Sequence, residues 1–371
     1  MFVPIRPLSL RPKPALLLPA LVVLAATVST LAQTQQAPAV QQPAAAQAPR
    51  QNPRLQVPMD PDRARQLYVS KDPAHQSLGA NFQRDVDARV AAEARYPELC
   101  KGIVDFQKVS YRSSVGDLDI PAYLFQPIAK QGPKAHAAMV WVHGGVHGNW
   151  GITMFPFVKE AVERGYVIIA PDYRGSIGYG SAWREGVYMD VGGKDFRDAA
   201  LSADYLKTLP YVDADRIGAW GLSYGGFFTL LAVTEMPTTF RAAVDVAGVA
   251  DYAMYYEDPY HGGWTASRIG TPEQNPQVYA QASPLSHVDR LARPLLILHG
   301  TADVNVPYLH SVRLIDALLK NGKGDLVEFM TYPGEFHYFT REHVLRDAWT
   351  RVDRFFGKWL RPQSPAGRAS E

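Results

Sequence analysis

The sequence predicts an α/β domain, a mainly parallel sheet with helices on both faces. Three observations carry that prediction. From about residue 103, apolar runs of strand length alternate with longer stretches whose apolar residues recur at helical spacing. The first two runs, Val104 to Arg112 and Ile120 to Gln126, flank a Gly116-Asp117 turn and read as an antiparallel hairpin that opens the sheet. Further on, Ile217 to Trp220 reads as a buried strand that passes straight into an apolar helix from Phe227. Between them lies Gly221-Leu-Ser223-Tyr224-Gly225, a glycine-flanked serine on a strand-to-helix turn.

Taken in order, residues 1–32 have the layout of a secretory signal. Arg6 to Lys13 form a basic region, Ala15 to Leu31 an apolar one, and Thr30-Leu-Ala32 a small-residue cleavage site before Gln33. The apolar run approaches spanning length, so an uncleaved anchor is the alternative. Pro19 and the cleavage-like end favour removal, and with it a periplasmic or secreted location. Residues 33–58 are Gln/Ala/Pro-rich, cannot bury enough surface to fold, and read as a disordered linker. In residues 59–102, Phe82, Val86 and Val90 recur every four residues, one face of a helical arm. Residues 103–362 hold the α/β domain, and residues 363–371 read as a flexible tail.

Composition narrows the function classes. Of 371 residues, 47% are hydrophobic and 20% charged, as in ordinary globular proteins. The formal charge of +2 arises in the first 32 residues, which carry Arg6, Arg11 and Lys13 and no acid, so a mature chain is near neutral. Neither a nucleic-acid partner nor a polybasic membrane surface is expected. Cys100 is the sole cysteine, so no disulfide within the chain supports the fold. There is no His-Glu-x-x-His and no paired Cys, and no metal is expected. Gly175-Ser-Ile-Gly178-Tyr-Gly180 departs from the phosphate-binding Gly-x-Gly-x-x-Gly pattern, and no cofactor is expected.

Inside the domain, further strand-like runs fall at Ala137–Val142, Val167–Ala170, Ile217–Trp220, Ala242–Val246, Pro294–Leu298 and Leu326–Tyr332. Helical spacing joins Phe155, Val158 and Val162, then Phe196, Ala199, Ala203 and Leu206. It recurs at Leu309, Val312, Ile315 and Leu319, and finally at Val344, Ala348, Val352, Phe355 and Trp359.

Ligands of such sheets bind beyond the carboxyl ends of the strands. Asp303 follows Pro294-Leu-Leu-Ile-Leu-His-Gly300, and His337 follows Glu328-Phe-Met-Thr-Tyr332. Ser223, Asp303 and His337 therefore occur in the chain order serine, acid, histidine of α/β-hydrolases. A serine hydroxyl is a poor nucleophile until an imidazole takes its proton, and the imidazole needs a carboxylate on its other nitrogen. Taken singly, Asp303 reads equally as a turn aspartate and His337 as a surface-loop histidine; the order and the elbow favour the triad. Asp251 is the rival acid, and Glu335 lies too near His337 in sequence. Val140-Trp-Val-His143-Gly144-Gly145 ends a strand in glycines that let backbone N–H groups approach an oxyanion. The hole is assigned to the N–H groups of Tyr224 and Gly145, with His143 ordering the loop.

These blocks together resemble the catalytic domain of the prolyl oligopeptidase family of serine peptidases. The motifs are His143-Gly-Gly145, Asp172-Tyr-Arg-Gly-Ser-Ile-Gly-Tyr-Gly180, Gly192-Gly-Lys-Asp195, Val212-Asp-Ala-Asp-Arg-Ile217, Gly221-Leu-Ser-Tyr-Gly-Gly226, His299-Gly-Thr-Ala-Asp303-Val-Asn-Val306 and Glu335-Phe-His337. The resemblance implies the triad Ser223, Asp303 and His337, the oxyanion positions Tyr224 and Gly145, and a small apolar slot lined by Tyr224, Val249, Tyr252, Tyr255 and Val306. It also implies that Asn305 hydrogen-bonds the substrate carbonyl. Full-length members carry a β-propeller; about 70 residues between the expected signal and the hydrolase are too few for its repeated blades. Val146 replaces the proline many members have after His-Gly-Gly. The expected function is a secreted serine hydrolase that cleaves small peptides or amides. The alternatives are a carboxylesterase acting on short acyl or sugar esters, and a non-catalytic module that has kept the fold.

Overall fold

The computed structural model describes residues 82–361. The expected signal (1–32), the linker (33–58), the first part of the arm (59–81) and the tail (363–371) lie outside the described residues.

Eight strands form one sheet: β1 (Asp105–Arg112), β2 (Asp119–Gln126), β3 (His136–Val142), β4 (Val167–Pro171), β5 (Val212–Leu222), β6 (Ala242–Val246), β7 (Leu295–Gly300) and β8 (Val327–Tyr332). Their order is β1-β2-β4-β3-β5-β6-β7-β8. The β1–β2 hairpin and the β2–β4 pair are antiparallel, and every other pair is parallel. Every residue of β3, β4, β6 and β7 is buried, as unbroken apolar runs require. Strand β5 is longer than its apolar stretch. Its first residue, Val212, is buried and pairs with His136 of β3, while Asp213 to Arg216 are partly exposed and bulge out before pairing resumes at Ile217. Hydropathy alone conceals such an extension.

Eleven helices accompany the sheet: α1 (Phe82–Glu93), α2 (Tyr96–Cys100), α3 (Phe155–Glu163), α4 (Ser181–Arg184), α5 (Lys194–Lys207), α6 (Tyr224–Glu235), α7 (Tyr252–Glu257), α8 (Gly262–Ile269), α9 (Pro276–Gln281), α10 (Leu309–Lys320) and α11 (Glu342–Leu360), counted among the described residues. Successive side chains of a strand point to opposite faces. Ala138, Val140 and Val142 of β3 accordingly join the core under α5, α6 and α10, while Ala137, Met139 and Trp141 join the core under α2, α3 and α11. Helix α6 is buried at every position except Glu235, so it is apolar all round rather than amphipathic.

The arm differs from its expected packing. Phe82 is buried, but Val90 is 51% exposed. Polar groups attach α1 instead. Arg89 Nε donates to Gly178 O at 2.8 Å, and Glu93 Oε1 accepts from Lys108 Nζ and Tyr123 Oη, each at 2.8 Å. The Arg89 guanidinium also lies 4.4 Å from the centre of the Tyr179 ring.

Candidate active site

The site begins where β5 meets α6. Ser223 has φ 62° and ψ −118°, a left-handed conformation that a non-glycine residue adopts only where its surroundings impose it. They impose it here because α6 passes close to two strands. A Cβ on Gly225 would lie 2.2 Å from Val142 O, and one on Gly221 2.7 Å from the Gly225 Cα. Ser223 caps α6, its carbonyl accepting from Phe227 N at 2.8 Å and its N–H donating to Val246 O at 2.8 Å. The Tyr224 amide is the first of the helix and has no intrahelical acceptor behind it.

Beside this elbow runs the loop after β3, whose last residue, Val142, pairs with Gly221. A Cβ on Gly144 would stand 2.8 Å from Leu222 O and 3.3 Å from the Ser223 Cβ, so the bare backbone lies against the elbow. Gly145 follows with φ 68°. Tyr173 Oη holds the loop from outside, 3.2 Å from His143 O and 3.3 Å from Gly145 O. The His143 ring lies on the Tyr173 ring at 4.4 Å and 12°, and its Nε2 is 2.8 Å from Ser176 Oγ. Burial lowers the His143 pKa to about 4, so the ring is neutral at neutral pH and serves as a loop anchor. The Gly175–Gly180 stretch that lacks the phosphate-binding pattern is thus part of this scaffold.

Asp303 and His337 come from the ends of β7 and β8. Asp303 Oδ2 lies 2.7 Å from His337 Nδ1. Its Oδ1 accepts from Asn305 N at 2.8 Å and Val306 N at 3.0 Å. A second imidazole reaches the same carboxylate: His299 Nε2 is 3.1 Å from Asp303 Oδ2 and 3.0 Å from Val306 O. Both neighbours are acceptors, so His299 carries its proton on Nε2, and its Nδ1 meets Ser311 Oγ at 2.7 Å. Burial works against the Asp303 charge, but the bonds from His299 and His337 outweigh it and hold the carboxyl well below the usual range. The two rival acids are committed elsewhere. Asp251 caps α7, accepting from Ala253 N at 2.8 Å, and Glu335 accepts from Thr340 N at 2.8 Å while pairing with Arg341.

Ser223, His337 and Gly145 line one cavity of about 350 Å³, together with Tyr224, Val249, Tyr252, Tyr255 and Asn305. Val306 departs from expectation. It is buried, its N–H and carbonyl occupied by Asp303 and His299, and it does not line the cavity. Tyr224 also lines it, and its hydroxyl donates to Asp195, whose pKa burial raises to about 7. Val146 lines it as well, and His147, His261, Trp264 and Tyr338 complete the lining without having been singled out from the sequence. His261 stacks on Tyr255 at 4.2 Å and 18°, and Trp264 belongs to α8. Both lie in the excursion after β6, whose place beyond a strand's carboxyl end was their one signal. His299 was legible as the start of a family motif, but not as a second partner of Asp303.

A sheet in this strand order with a serine elbow after its fifth strand defines an α/β-hydrolase fold. The chain belongs to the prolyl oligopeptidase family, whose family model matches residues 154–363. It is 30% identical to dipeptidyl-peptidase 5 of Porphyromonas gingivalis over 62% of this chain and 34% of that one. Among solved structures it is similar to a Mycobacterium tuberculosis puromycin-hydrolyzing peptidase, with TM-score 0.62 and 28% identity over 68% of this chain and 39% of that one. It is also similar to an acylaminoacyl peptidase of Pyrococcus horikoshii, with TM-score 0.62 and 25% identity over 72% and 44% of the two chains. The chain spans about a third of the length of the curated relatives it matches, 34% and 38% of the first two. Among the described residues no helix is long and apolar enough to cross a membrane.

Proposed function

We propose that the chain is a secreted serine hydrolase that cleaves small peptides and amides after a small apolar residue through an acyl-enzyme. The observation that carries this reading is the His337–Asp303 bond of 2.7 Å, made by an imidazole that shares a cavity with Ser223. With Nδ1 held by the carboxylate, Nε2 is the nitrogen left to take the Ser223 proton. Ser223 Oγ attacks the substrate carbonyl carbon, forming the C–O bond, while His337 accepts the proton. The N–H groups of Tyr224 and Gly145 receive the oxyanion, each donor contributing about 3–4 kcal/mol at the transition state. The C–N bond then breaks and the amine leaves with the proton from His337. Water, deprotonated by the same imidazole, cleaves the acyl-enzyme and restores Ser223.

Tyr252, Tyr255 and Val249 give the acyl side a small, rigid, apolar wall, which suits a proline, alanine or short acyl group. One observation favours a second reading, a carboxylesterase acting on short acyl or sugar esters. No Asp or Glu lines the cavity among the described residues, so nothing there grips a free amino terminus.

Labelling by a fluorophosphonate that disappears in Ser223→Ala tests the shared machinery, and an unlabelled wild type overturns both readings. Turnover of aminoacyl-prolyl amides against p-nitrophenyl acetate then separates them, because absence of amide turnover sinks the peptidase and leaves the esterase.

A further inference from the structure

A second cavity, of about 490 Å³, adjoins the first beside the nucleophile, where neighbouring residues divide between the two. Gly144 lines the second cavity and Gly145 the first; Leu222 lines the second and Ser223 with Tyr224 the first. Tyr338, next to His337, lines both and is the only residue they share among the described residues. The first cavity thus holds the nucleophile, and the second reaches it through the neighbouring residues Leu222, Gly144 and Tyr338. The first contains the N–H groups assigned to the oxyanion and the tyrosine slot for the acyl part. The second lies against the residues that follow His337, which must hand its proton to the departing group.

The chemistry of the second cavity is specific. Trp141 and Trp220 stack in its wall at 3.9 Å and 18°, and Trp349 continues the stack at 5.4 Å and 26°. Phe157 and Phe339 add further rings. No Asp, Glu, Lys or Arg lines it among the described residues, and the one histidine, His143, has its pKa lowered to about 4 by burial. A charged occupant would lose its hydration there without a partner, whereas an aromatic or aliphatic one exchanges water for ring faces.

We infer that this aromatic cavity binds the leaving group, and that it selects substrates whose departing amine or alcohol carries an aromatic or bulky aliphatic side chain. The inference rests on the acyl-enzyme reading above and adds the second half of the substrate to it. The acyl–N or acyl–O bond is the one that breaks, so the cavity's occupant is released as the free amine or alcohol with the proton from His337.

The test holds the acyl part constant and varies what leaves: alanyl-glycinamide against alanyl-phenylalaninamide, and methyl against benzyl acetate. In the wild type the aromatic leaving group raises kcat/KM about 10–100-fold, the range for filling an apolar pocket. Ala348→Phe fills the cavity from α11 and collapses that ratio toward one. A wild-type ratio near one, or a ratio unchanged in folded Ala348→Phe, overturns the inference. A binding measurement keeps it decidable if Ser223 proves inert. L-phenylalaninamide titrated into Ser223→Ala gives saturable quenching of tryptophan emission that Ala348→Phe abolishes, and absence of that quenching overturns the cavity assignment without reference to turnover. Failure of fluorophosphonate labelling with quenching retained sinks the acyl-enzyme reading alone.

Discussion

The Asp303 carboxylate is shared. One oxygen faces two imidazoles, His337 at 2.7 Å and His299 at 3.1 Å, and the other is fixed by the amides of its own turn. Under the proposed mechanism His299 is a positioning residue that acts through Asp303. Its removal costs one hydrogen bond to a charged group, about 1.5–3 kcal/mol, so His299→Ala loses roughly 10–100-fold in kcat with little change in KM. Steady-state kinetics with p-nitrophenyl acetate checks both parameters. The positions of Ser223, Asp303 and His337, each just beyond a strand, were legible because each follows an apolar run of strand length. Val306 was legible as a motif position but not as a backbone partner of His299, since side-chain identity says nothing about where a carbonyl points.

At the scale of the element, the loop after β3 is set by contact with the elbow rather than by its own conformation. Gly144→Ala places a methyl 2.8 Å from a backbone oxygen and displaces the loop that carries Gly145. Under the proposed mechanism the expected result is a fall in kcat of about 10²–10³-fold, the usual effect of losing one oxyanion donor, measured with p-nitrophenyl acetate. The arm helix teaches the complementary lesson. Its four-residue apolar repeat was a correct signal for a helix and an incomplete one for its buried face, because α1 is held by charge and hydrogen bonds. Glu93 accepts from Lys108 and Tyr123 and pairs with Arg89. Glu93→Ala should faster expose the amides of residues 82–93 to hydrogen exchange, with a loss of about 1–3 kcal/mol of local stability. Strand β5 makes the same point, since the bulge at Asp213 to Arg216 separates Val212 from the apolar stretch it continues.

For the molecule as a whole, the His337–Asp303 bond also joins the loops after β7 and β8, the last two strands of the sheet. The folded pKa of Asp303 lies below that of the unfolded chain, so its contribution to stability is complete above the unfolded value of about 3.9 and is lost as pH falls through the folded value. Urea unfolding should find Asp303→Asn less stable than wild type at pH 7, with the gap narrowing on acidification to pH 3. The αβ alternation and the opening hairpin were legible because buried strands and helix faces must be apolar at fixed periods. The sheet order was not read from the sequence, for which strands lie side by side is decided by crossovers and packing.

The three tryptophans packed from β3 across β5 to α11 have an optical consequence. Indoles stacked this closely in nearly parallel planes couple their excited states, so the folded chain should carry an exciton signature in its near-ultraviolet circular dichroism. That signature vanishes once the rings part, giving the protein a label-free gauge of its own integrity beside the serine elbow.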